Sequence, residues 1–193
     1  MIRYNLKKDM IQPENSNKSR LEAYTELAKN SLVRVQYSCS GNSTSLEESD
    51  FISYRTASAE ELPAIIQLLD ECKLPYSDIM PEKQQFVIAE IDQKIIGCAG
   101  YEAYNQNGLF RSLAVKPLYR DMMIAHTMID NIFALAQEQG IREFFLLTTT
   151  ANKLFGKLGW EIINRNDVPA NIGSTTEFSS ICPSVAICMK YQL

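Results

Sequence analysis

An arginine inside an apolar segment is the first feature of this sequence that could do chemistry. Arg111 lies within residues 109–115, which are otherwise mostly apolar and predict a β-strand. An arginine is rarely buried without a partner, so a negative group should face it. Its planar guanidinium suits the carboxylate of a bound substrate. A structural ion pair with Glu102 or Glu143 is the alternative, and the sequence leaves both open.

The strand predicted before it carries groups that could move a proton. Tyr101, Glu102 and Tyr104 lie near its end, and such side chains can take a proton from a reacting group directly or through water. Glu102 is the predicted general base, and Tyr101 is a predicted substrate contact. Thr149, which ends another predicted strand, is a further substrate contact, while Thr150 is expected to cap the next helix.

Cysteine and histidine offer little for metal chemistry. The five cysteines include no CxxC pair, and His126 is the only histidine. Neither a disulfide framework nor a metal site is therefore predicted. Cys182 and Cys188 could bind a soft metalloid, but residues six apart on a strand lie about 20 Å apart unless the chain turns, for instance at Pro183. We expect both cysteines to act as small buried apolar side chains.

Length and composition exclude several classes of protein. The 193 residues are 46% hydrophobic and 22% charged, which suits one core with an appendage. The net charge is -4 and no run of five Lys or Arg occurs, which argues against a nucleic-acid partner. No apolar run approaches a membrane span, and the first residues lack a signal-peptide pattern. We therefore expect no membrane partner and a cytoplasmic location.

Apolar periodicity orders the elements that must position these residues. Ser58 and Glu61 form a predicted capping box, followed by a helix of about four turns. The predicted order is α, β, β, β, α, β, α, β, β, which indicates a mixed sheet with helices on its faces. The later elements are a hairpin at 85–104, a strand at 109–115, a helix at 122–139, a strand at 143–149, a short helix at 150–158 and strands at 160–165 and 185–191.

Residues 1–50 differ in composition from the rest of the chain. Polar stretches at 15–19 and 38–45 are typical of linkers, and a weakly amphipathic stretch begins near Leu21. We expect an N-terminal extension that is partly flexible and contains a short helix, with no chemistry assigned to it. The main domain is predicted to span residues 51–193.

A recurring order of strand, turn and helix in the second half of the chain resembles a known superfamily. Its marks are Val-x-Pro at residues 115–117, an arginine in the turn that follows, and Ala-x-x-x-Phe-x-x-x-Gly-Trp at residues 151–160. In order and spacing, residues 51–193 resemble the GNAT superfamily of acetyl-CoA-dependent N-acetyltransferases. The resemblance implies an α/β (α+β) fold with a mixed, splayed central sheet flanked by helices.

Four shorter segments are similar to one subfamily, the arsenic-resistance N-acetyltransferases. They are FRSLAV at 110–115, LLTTT at 146–150, FGKLG at 155–159 and EFSSICP at 177–183. The similarity implies detoxification of an arsenical analogue of an acidic amino acid as the context of the reaction.

The resemblance also implies where acetyl-CoA, the expected co-substrate, would bind. The backbone of Leu113, Ala114 and Val115 would pair with its pantetheine arm, and the Leu113 amide would meet the thioester oxygen as negative charge develops there. Thr148 and Phe155 would contribute to the same site. Many family members have a tyrosine in place of Phe155 that protonates the departing thiolate, so water would supply that proton here.

The turn after this strand departs from the family pattern. It normally reads Arg/Gln-x-x-Gly-x-Gly/Ala and presents backbone N–H groups at a helix N-terminus to the CoA pyrophosphate. Here Met123 replaces a glycine, and Asp121 places a carboxylate near two phosphates, a repulsion of about 1–4 kcal/mol. We expect binding that is weakened but retained, with the Asp121 side chain in solvent; the alternative is that acetyl transfer has been lost. The predicted contacts are Arg120, Asp121, Met122, Met123, Ile124 and Ala125.

The sequence therefore predicts an enzyme that moves the acetyl group of acetyl-CoA to the amine of a small amino-acid-like acceptor. The amine would attack directly, with no covalent enzyme intermediate. A small-molecule amine is the expected partner, and a homodimer is left open. The alternative is a noncatalytic GNAT-like module that binds a metalloid or a protein partner through its cysteines or its N-terminal arm.

Overall fold

The computed structural model describes residues 52–193, and the extension predicted for residues 1–50 lies outside this part of the chain. Seven strands form one sheet in the order β1-β2-β3-β4-β5-β7-β6. Neighbouring strands are antiparallel except β4 and β5, which confirms the predicted mixed sheet. The strands are β1 (Ser53–Thr56), β2 (Gln84–Ile91), β3 (Lys94–Tyr104), β4 (Asn107–Val115), β5 (Glu143–Thr148), β6 (Glu161–Ile163) and β7 (Ile187–Gln192).

The described residues form four α-helices, three of them where the periodicity predicts helix. The first begins after the capping box of Ser58 and Glu61, which is confirmed. It has ten residues rather than four turns, because Lys73 takes a left-handed backbone with φ of 57°. The helices are α1 (Leu62–Glu71), α2 (Ile124–Glu138), α3 (Asn152–Lys157) and α4 (Ala170–Gly173).

Several short elements are absent from the sequence prediction. β1 and α4 have four residues each, which is too few to show a period. A π-helical turn (Glu177–Ile181) lies in the same stretch as α4, between β6 and β7. None of the described helices is long and apolar enough to cross a membrane.

The strands β4 and β5 pair briefly and then separate. Their parallel ladder runs from Asn107 opposite Glu143 to Leu109 opposite Phe145, a total of three pairs. Because the strands are parallel, their carboxyl ends lie at the same edge of the sheet. A cleft, the β4–β5 cleft, therefore opens between residues 110–115 and 146–148, and the predicted splayed sheet is confirmed.

The two faces of the sheet are packed differently. One face packs against α2 through a continuous core, the α2 cluster, in which rings such as Phe144 and Trp160 are in contact. The opposite face carries two separate cores: the α1 cluster, which includes Ile65, and the C-terminal cluster, which includes Phe178. A polar group on this second face can therefore lie between two apolar cores.

A β-bulge in β4 changes which residues point to each face. Ser112 and Leu113 together stand opposite Ala99, and Ser112 has a left-handed backbone with φ of 57°. The extra residue shifts the alternation by one. As a result Leu113 packs against the α2 cluster, while Ala114 belongs to the α1 cluster.

Candidate functional site

The β4–β5 cleft ends beside the N-terminus of α2. From Val115 the chain passes through a 3-10 turn (Pro117–Tyr119) and then enters the helix. The first N–H groups of a helix have no intrahelical acceptors and carry the positive end of the helix dipole. The N–H groups at the start of this helix, a type of position that suits an anion, therefore follow the strand that lines the cleft.

The turn before α2 keeps a glycine-type backbone without glycine. Asp121 and Met123 have φ values of 64° and 58°, in the region that glycine adopts freely. Met123 is the N-cap of α2, with an exposed side chain. The Nε of Arg120 donates to the carbonyl oxygen of Val115 at 3.2 Å. Two non-glycine residues of the turn thus adopt the backbone that glycine favours, at a strain of about 1–2 kcal/mol for each.

The other predicted cofactor contacts on β4 and α2 lie along the cleft and at the start of the helix. Leu113 and Val115 on β4, and Met122 in the turn, pack against the edge of the α2 cluster. Leu113, Val115, Met122 and Ala125 are half-buried, whereas Ala114 and Ile124 are buried.

The two predicted cofactor residues near β5 are both engaged by the protein. The Oγ1 of Thr148 accepts a hydrogen bond from the Ala151 N–H at 2.9 Å and holds the turn into α3. Phe155 is buried, and its ring packs edge-on against Phe110 and Trp160. Phe155 is thus an apolar ring of the core and offers no proton.

The threonines beyond β5 are exposed, and one expectation about them is wrong. Thr149 and Thr150 follow the last residue of the strand with open side chains. The expected cap by Thr150 is not found, because α3 starts one residue later and Ala151 occupies its N-cap position.

Arg111 holds three carboxylates that come from three other segments. Its Nη1 and Nη2 each donate to an oxygen of Asp78 at 2.6 Å. Its Nη1 also donates to Glu102 Oε1 at 2.7 Å, and its Nε lies 3.3 Å from Glu177 Oε2. We call these four residues the Arg111 cluster. It lies where the α1 cluster and the C-terminal cluster meet, because β4 gives Leu109 to one and Ala114 to the other.

The ion-pair alternative for Arg111 is present in the structure. Glu102 is one partner, while Glu143 pairs with Lys190 at 2.7 Å. The Arg111 side chain is only 2% exposed, and Asp78 occupies the edge of the guanidinium that would receive a second carboxylate. A substrate carboxylate would have to displace Asp78, and this role of Arg111 stays a prediction.

Glu102, the predicted general base, accepts hydrogen bonds at both oxygens. Oε1 accepts from Gln84 Nε2 and Arg111 Nη1, each at 2.7 Å, and Oε2 accepts from the Tyr104 hydroxyl. Both oxygens of this carboxyl are therefore already occupied by donors of the protein. Burial, followed by the hydrogen bond to Glu102, raises the pKa of Tyr104 above its usual value.

Tyr101 lies away from the Arg111 cluster. Strand alternation turns it to the α2 face, where it packs edge-on against Phe144. Its hydroxyl donates to Gln85 Oε1 at 2.9 Å. The structure therefore does not bring Tyr101 together with Glu102 and Arg111.

The charges of the Arg111 cluster do not balance, because three carboxylates face one guanidinium. Burial opposes the ionisation of Asp78, but its hydrogen bonds with Arg111 outweigh this and hold its pKa below the usual value. Burial, with the added charges of Asp78 and Glu102, raises the pKa of Glu177 to about 7, against the opposing attraction of Arg111. Glu177 is therefore the carboxyl of this cluster that exchanges a proton near neutral pH.

Asp78 and Glu177 are absent from the residues that the sequence predicts for the site. Asp78 lies in the loop between α1 and β2, which has no periodicity, and Glu177 lies in a segment noted only for its resemblance. The signal that could have found them is the charge of Arg111, which demands carboxylates from any segment and not only from the neighbouring strands.

Cys188 belongs to the C-terminal cluster, and Cys182 packs against it. Burial raises the pKa of both thiols to about 11, so both are protonated near neutral pH. Protonated thiols are poor ligands. Within residues 52–193, no three Cys, His, Asp or Glu side chains are arranged to hold a metal ion.

A splayed sheet, a bulge on one wall of its cleft and a helix N-terminus at the cleft's open end together define the class of fold. Residues 82–162 match the family model of the acetyltransferase (GNAT) domain. This match covers 81 of the 193 residues, and over these residues the chain is similar to acetyltransferase domains of the GNAT type.

Curated relatives of this chain are amino-acid acetyltransferases. The protein from Mannheimia succiniciproducens is 25% identical over 161 residues, which cover 79% of this chain and 36% of the relative. The protein of that name from Ectopseudomonas mendocina is 28% identical over 148 residues, or 72% of this chain and 34% of the relative. The chain thus spans about a third of the length of these relatives. Neither name mentions arsenic resistance, and that finer prediction is not supported by them.

Solved structures show the same fold. N-acetylglutamate synthase from Neisseria gonorrhoeae, complexed with coenzyme A and N-acetyl-glutamate, superposes with a TM-score of 0.63 at 24% identity, covering 74% of this chain and 35% of that one. Rv2747 from Mycobacterium tuberculosis, in a complex that contains CoA, gives a TM-score of 0.60 at 23% identity, covering 72% of this chain and 98% of that one. At these identities the likeness establishes the fold.

Proposed function

We propose that this domain transfers the acetyl group of acetyl-CoA to the amine of a small amino-acid-like acceptor. The observation that carries the proposal is the β4–β5 cleft, with a bulge on one wall and the N-terminus of α2 at its open end. Two comparisons support it: curated relatives are amino-acid acetyltransferases, and solved structures of the same fold contain coenzyme A.

The residues of the cleft fit acetyl-CoA as the acyl donor. The pyrophosphate would lie over residues 120–123 and the first N–H groups of α2, since the turn has the left-handed residues that bring its backbone close to an anion. The pantetheine would run along residues 113–115. A bulge leaves a backbone group of its strand unpaired, and we propose that the Leu113 amide donates to the thioester oxygen as charge develops on it.

The chain supports direct attack by the acceptor amine. The amine nitrogen forms a bond with the acyl carbon, the electron pair moves to the oxygen, and the carbon–sulfur bond breaks as that pair returns. The thiolate then takes a proton from the attacking nitrogen or from water, because Phe155 has none to give. No nucleophilic side chain of the enzyme enters this sequence.

The acceptor is proposed to be an amino acid or a close analogue. Arg111 orients it either by receiving its carboxylate after Asp78 moves away, or by holding the carboxylates around it in place. Thr149, exposed at the end of β5, is a contact at the mouth of the cleft. The arsenical analogue of an acidic amino acid remains the finer form of this prediction, supported by the segments noted in the sequence.

A thiol-release assay tests the proposal. Acetyl-CoA is combined with L-glutamate, L-aspartate, neutral amino acids or an arsenical analogue of glutamate, and the free thiol of CoA is measured. We expect release that requires an acceptor. Arg120→Ala should raise the KM for acetyl-CoA several-fold and leave the KM for the acceptor unchanged, whereas Arg142→Ala, an exposed arginine outside the cleft, should change neither. Folded protein that binds no acetyl-CoA at millimolar concentration would refute the proposal.

A further inference from the structure

We propose that Glu177 receives the ammonium group of the acceptor and takes its proton before acyl transfer. The inference rests on the proposed function and names the proton acceptor of the same site. Glu177 lies in the π-helical turn between β6 and β7 and is 7% exposed. Glu177 comes from a segment that contributes no strand to the cleft. Only the folding of the chain brings it beside Arg111.

One oxygen of Glu177 lacks a hydrogen-bond donor in the described part of the chain. This atom, Oε2, is buried and lies 3.3 Å from Arg111 Nε. The Nε–H of Arg111 is directed instead at Ser112 Oγ, at 3.4 Å, so the contact with Glu177 is one of charge without a hydrogen bond. A buried carboxylate oxygen without a donor is unfavourable. An ammonium group supplies the missing donor.

The net charge of the Arg111 cluster favours a cation over an anion. Asp78 and Glu102 both accept short hydrogen bonds from Arg111, and those to Asp78 hold its pKa below the usual value. An ionised Glu177 adds a second uncompensated negative charge, and a bound monocation offsets it. Desolvation places the pKa of Glu177 at about 7, which lets the same carboxyl bind an ammonium and then hold its proton.

The position of the cluster suits an amine that attacks within the cleft. The last ladder pair of β4 and β5 is Leu109 with Phe145, and Arg111 follows Leu109 by two residues on the same face. Glu177 therefore meets β4 where the cleft begins, on the face opposite α2. The proposed pyrophosphate position lies at the other end of β4, so acceptor and donor would enter the cleft from different sides.

The proton balance of the step is simple. The ammonium of the acceptor gives one proton to the Glu177 carboxylate, which frees the nitrogen lone pair. The neutral amine attacks the acyl carbon, the carbon–sulfur bond breaks, and the thiolate receives a proton from the new amide nitrogen. Glu177 then releases its proton to solvent after the product leaves. No oxidant, reductant or further reactant is needed.

Glu102 is the competing candidate, and the structure distinguishes the two carboxyls. Both oxygens of Glu102 accept hydrogen bonds, from Gln84, Arg111 and Tyr104. Glu177 receives only a weak donor, the Cys182 thiol at 3.7 Å from Oε1. Glu177 therefore has an oxygen free to receive an ammonium group, whereas Glu102 has none.

The test is the pH profile of kcat/KM for wild type, Glu177→Gln, Glu102→Gln and the remote control Glu143→Gln, with L-glutamate as acceptor. We expect the wild-type profile to rise to a plateau through a group with a pKa of about 7. The groups that face this carboxyl and set its titration are Arg111, Asp78, Glu102 and Cys182. Glu177→Gln should lower kcat/KM at pH 7 by about 100-fold or more. The same substitution should also remove the rise of the profile near pH 7. kcat/KM should then keep increasing with pH until the acceptor amine itself loses its proton.

Acetyl-CoA affinity and the melting temperature separate a chemical effect from misfolding. Acetyl-CoA affinity should be unchanged in Glu177→Gln, and its melting temperature at pH 7 should not fall below that of wild type, because the variant lacks the buried carboxylate that costs stability as pH rises. Glu177→Asp should recover part of the activity together with a shifted limb. Glu143→Gln should match wild type. A wild-type enzyme that acetylates amino acids while Glu177→Gln keeps both its rate and its limb refutes the inference alone. A wild-type protein that releases no thiol with any amino acid refutes the proposed function, and the inference with it.

Discussion

Two arginines of this fold each bind several carboxylates, yet the two clusters differ in almost every physical respect. At the sheet edge, Arg55 on β1 contacts Glu61 at 2.6 Å and Glu90 at 2.9 Å. The Arg55 side chain is 44% exposed, whereas that of Arg111 is 2% exposed. Distances in the two clusters are alike, so geometry alone does not separate them. Exposure to water and the number of carboxylates do.

The difference separates an ion pair that supports structure from one that can do chemistry. At the exposed cluster, the hydrogen bonds from Arg55 lower the pKa of Glu61 to about 2, so this carboxyl stays ionised at neutral pH. Glu61 also closes the capping box before α1 and joins that helix to the sheet. In the buried cluster, Glu177 is poised near neutrality. Burial and an excess of carboxylates, rather than the arginine itself, create the titrating group.

The largest expected effect is on stability, when the buried arginine is removed. Arg111→Met leaves Asp78, Glu102 and Glu177 without their counter-charge, and should destabilise the fold by about 3–5 kcal/mol at pH 7. Arg55→Met is the matched control and should cost about 1 kcal/mol or less, because water screens its carboxylates. Urea unfolding of both variants measures the contrast. Equal losses would show that burial does not distinguish the clusters.

The second-largest expected effect is a pH dependence of stability that arises from Glu177 in the Arg111 cluster. Glu177 has an ordinary pKa of 4.5 when unfolded and about 7 when folded. Between these values the folded state binds more protons, so stability should fall as pH rises from about 4.5 to 7, by up to about 3 kcal/mol. Glu177→Gln should remove this slope. Glu61 acts in the opposite direction: its contribution is lost as pH falls below 4.5 towards 2.

The control for this slope is Glu143→Gln, which should keep the wild-type dependence. Unfolding free energies measured at intervals between pH 4.5 and 7.5 give the comparison. An identical slope in wild type and Glu177→Gln would mean that Glu177 titrates at its ordinary value in the fold.

Much of the contrast between the clusters was visible in the sequence, but the decisive partners were not. The capping box of Ser58 and Glu61 is a local pattern and was predicted correctly, as were the strands on either side of the cleft. Arg111 was singled out because an arginine in an apolar strand needs a partner. Asp78 could not be found, since a loop without periodicity gives no register that would place it beside β4.

The turn before α2 and the start of α3 show the same limit of prediction from sequence. The missing glycines in the turn before α2 predicted a weakened site, but only the backbone shows that Asp121 and Met123 adopt the left-handed conformation regardless. Thr150 does not cap α3 as expected, because the boundaries of short helices are poorly fixed by the sequence. Tertiary packing, not local propensity, decides such details.

Arg120 is a third arginine that can be compared with Arg55 and Arg111. No ion pair with Arg120 is found among residues 52–193. Arg120 is exposed at the turn, where Asp121 would repel the phosphates of CoA. Asp121→Gly should tighten acetyl-CoA binding about 5- to 10-fold, equivalent to about 1 kcal/mol, while Arg120→Ala weakens it. Isothermal titration measures both. Unchanged affinity in both variants would place the pyrophosphate elsewhere.

The smallest effect is the response of the exposed cluster to salt. Raising ionic strength from about 0.15 M to 1 M shortens the screening length and should reduce the contribution of the Arg55 pairs by a few tenths of a kcal/mol. The salt response of Arg55→Ala relative to wild type isolates this contribution. A buried pair is screened less, so the difference between wild type and Glu177→Gln should be insensitive to the same change.

The central claim is acetyl transfer to an amino-acid amine, and a single-turnover reaction tests it most directly. Protein in excess over acetyl-CoA is mixed with L-glutamate at pH 8, and the products are identified by mass spectrometry while free thiol is measured. We expect one N-acetylated amino acid for each CoA thiol released, with no acetylated protein as an intermediate. Hydrolysis of acetyl-CoA without an acetylated amino acid, or an acetyl group retained on the protein, would contradict it.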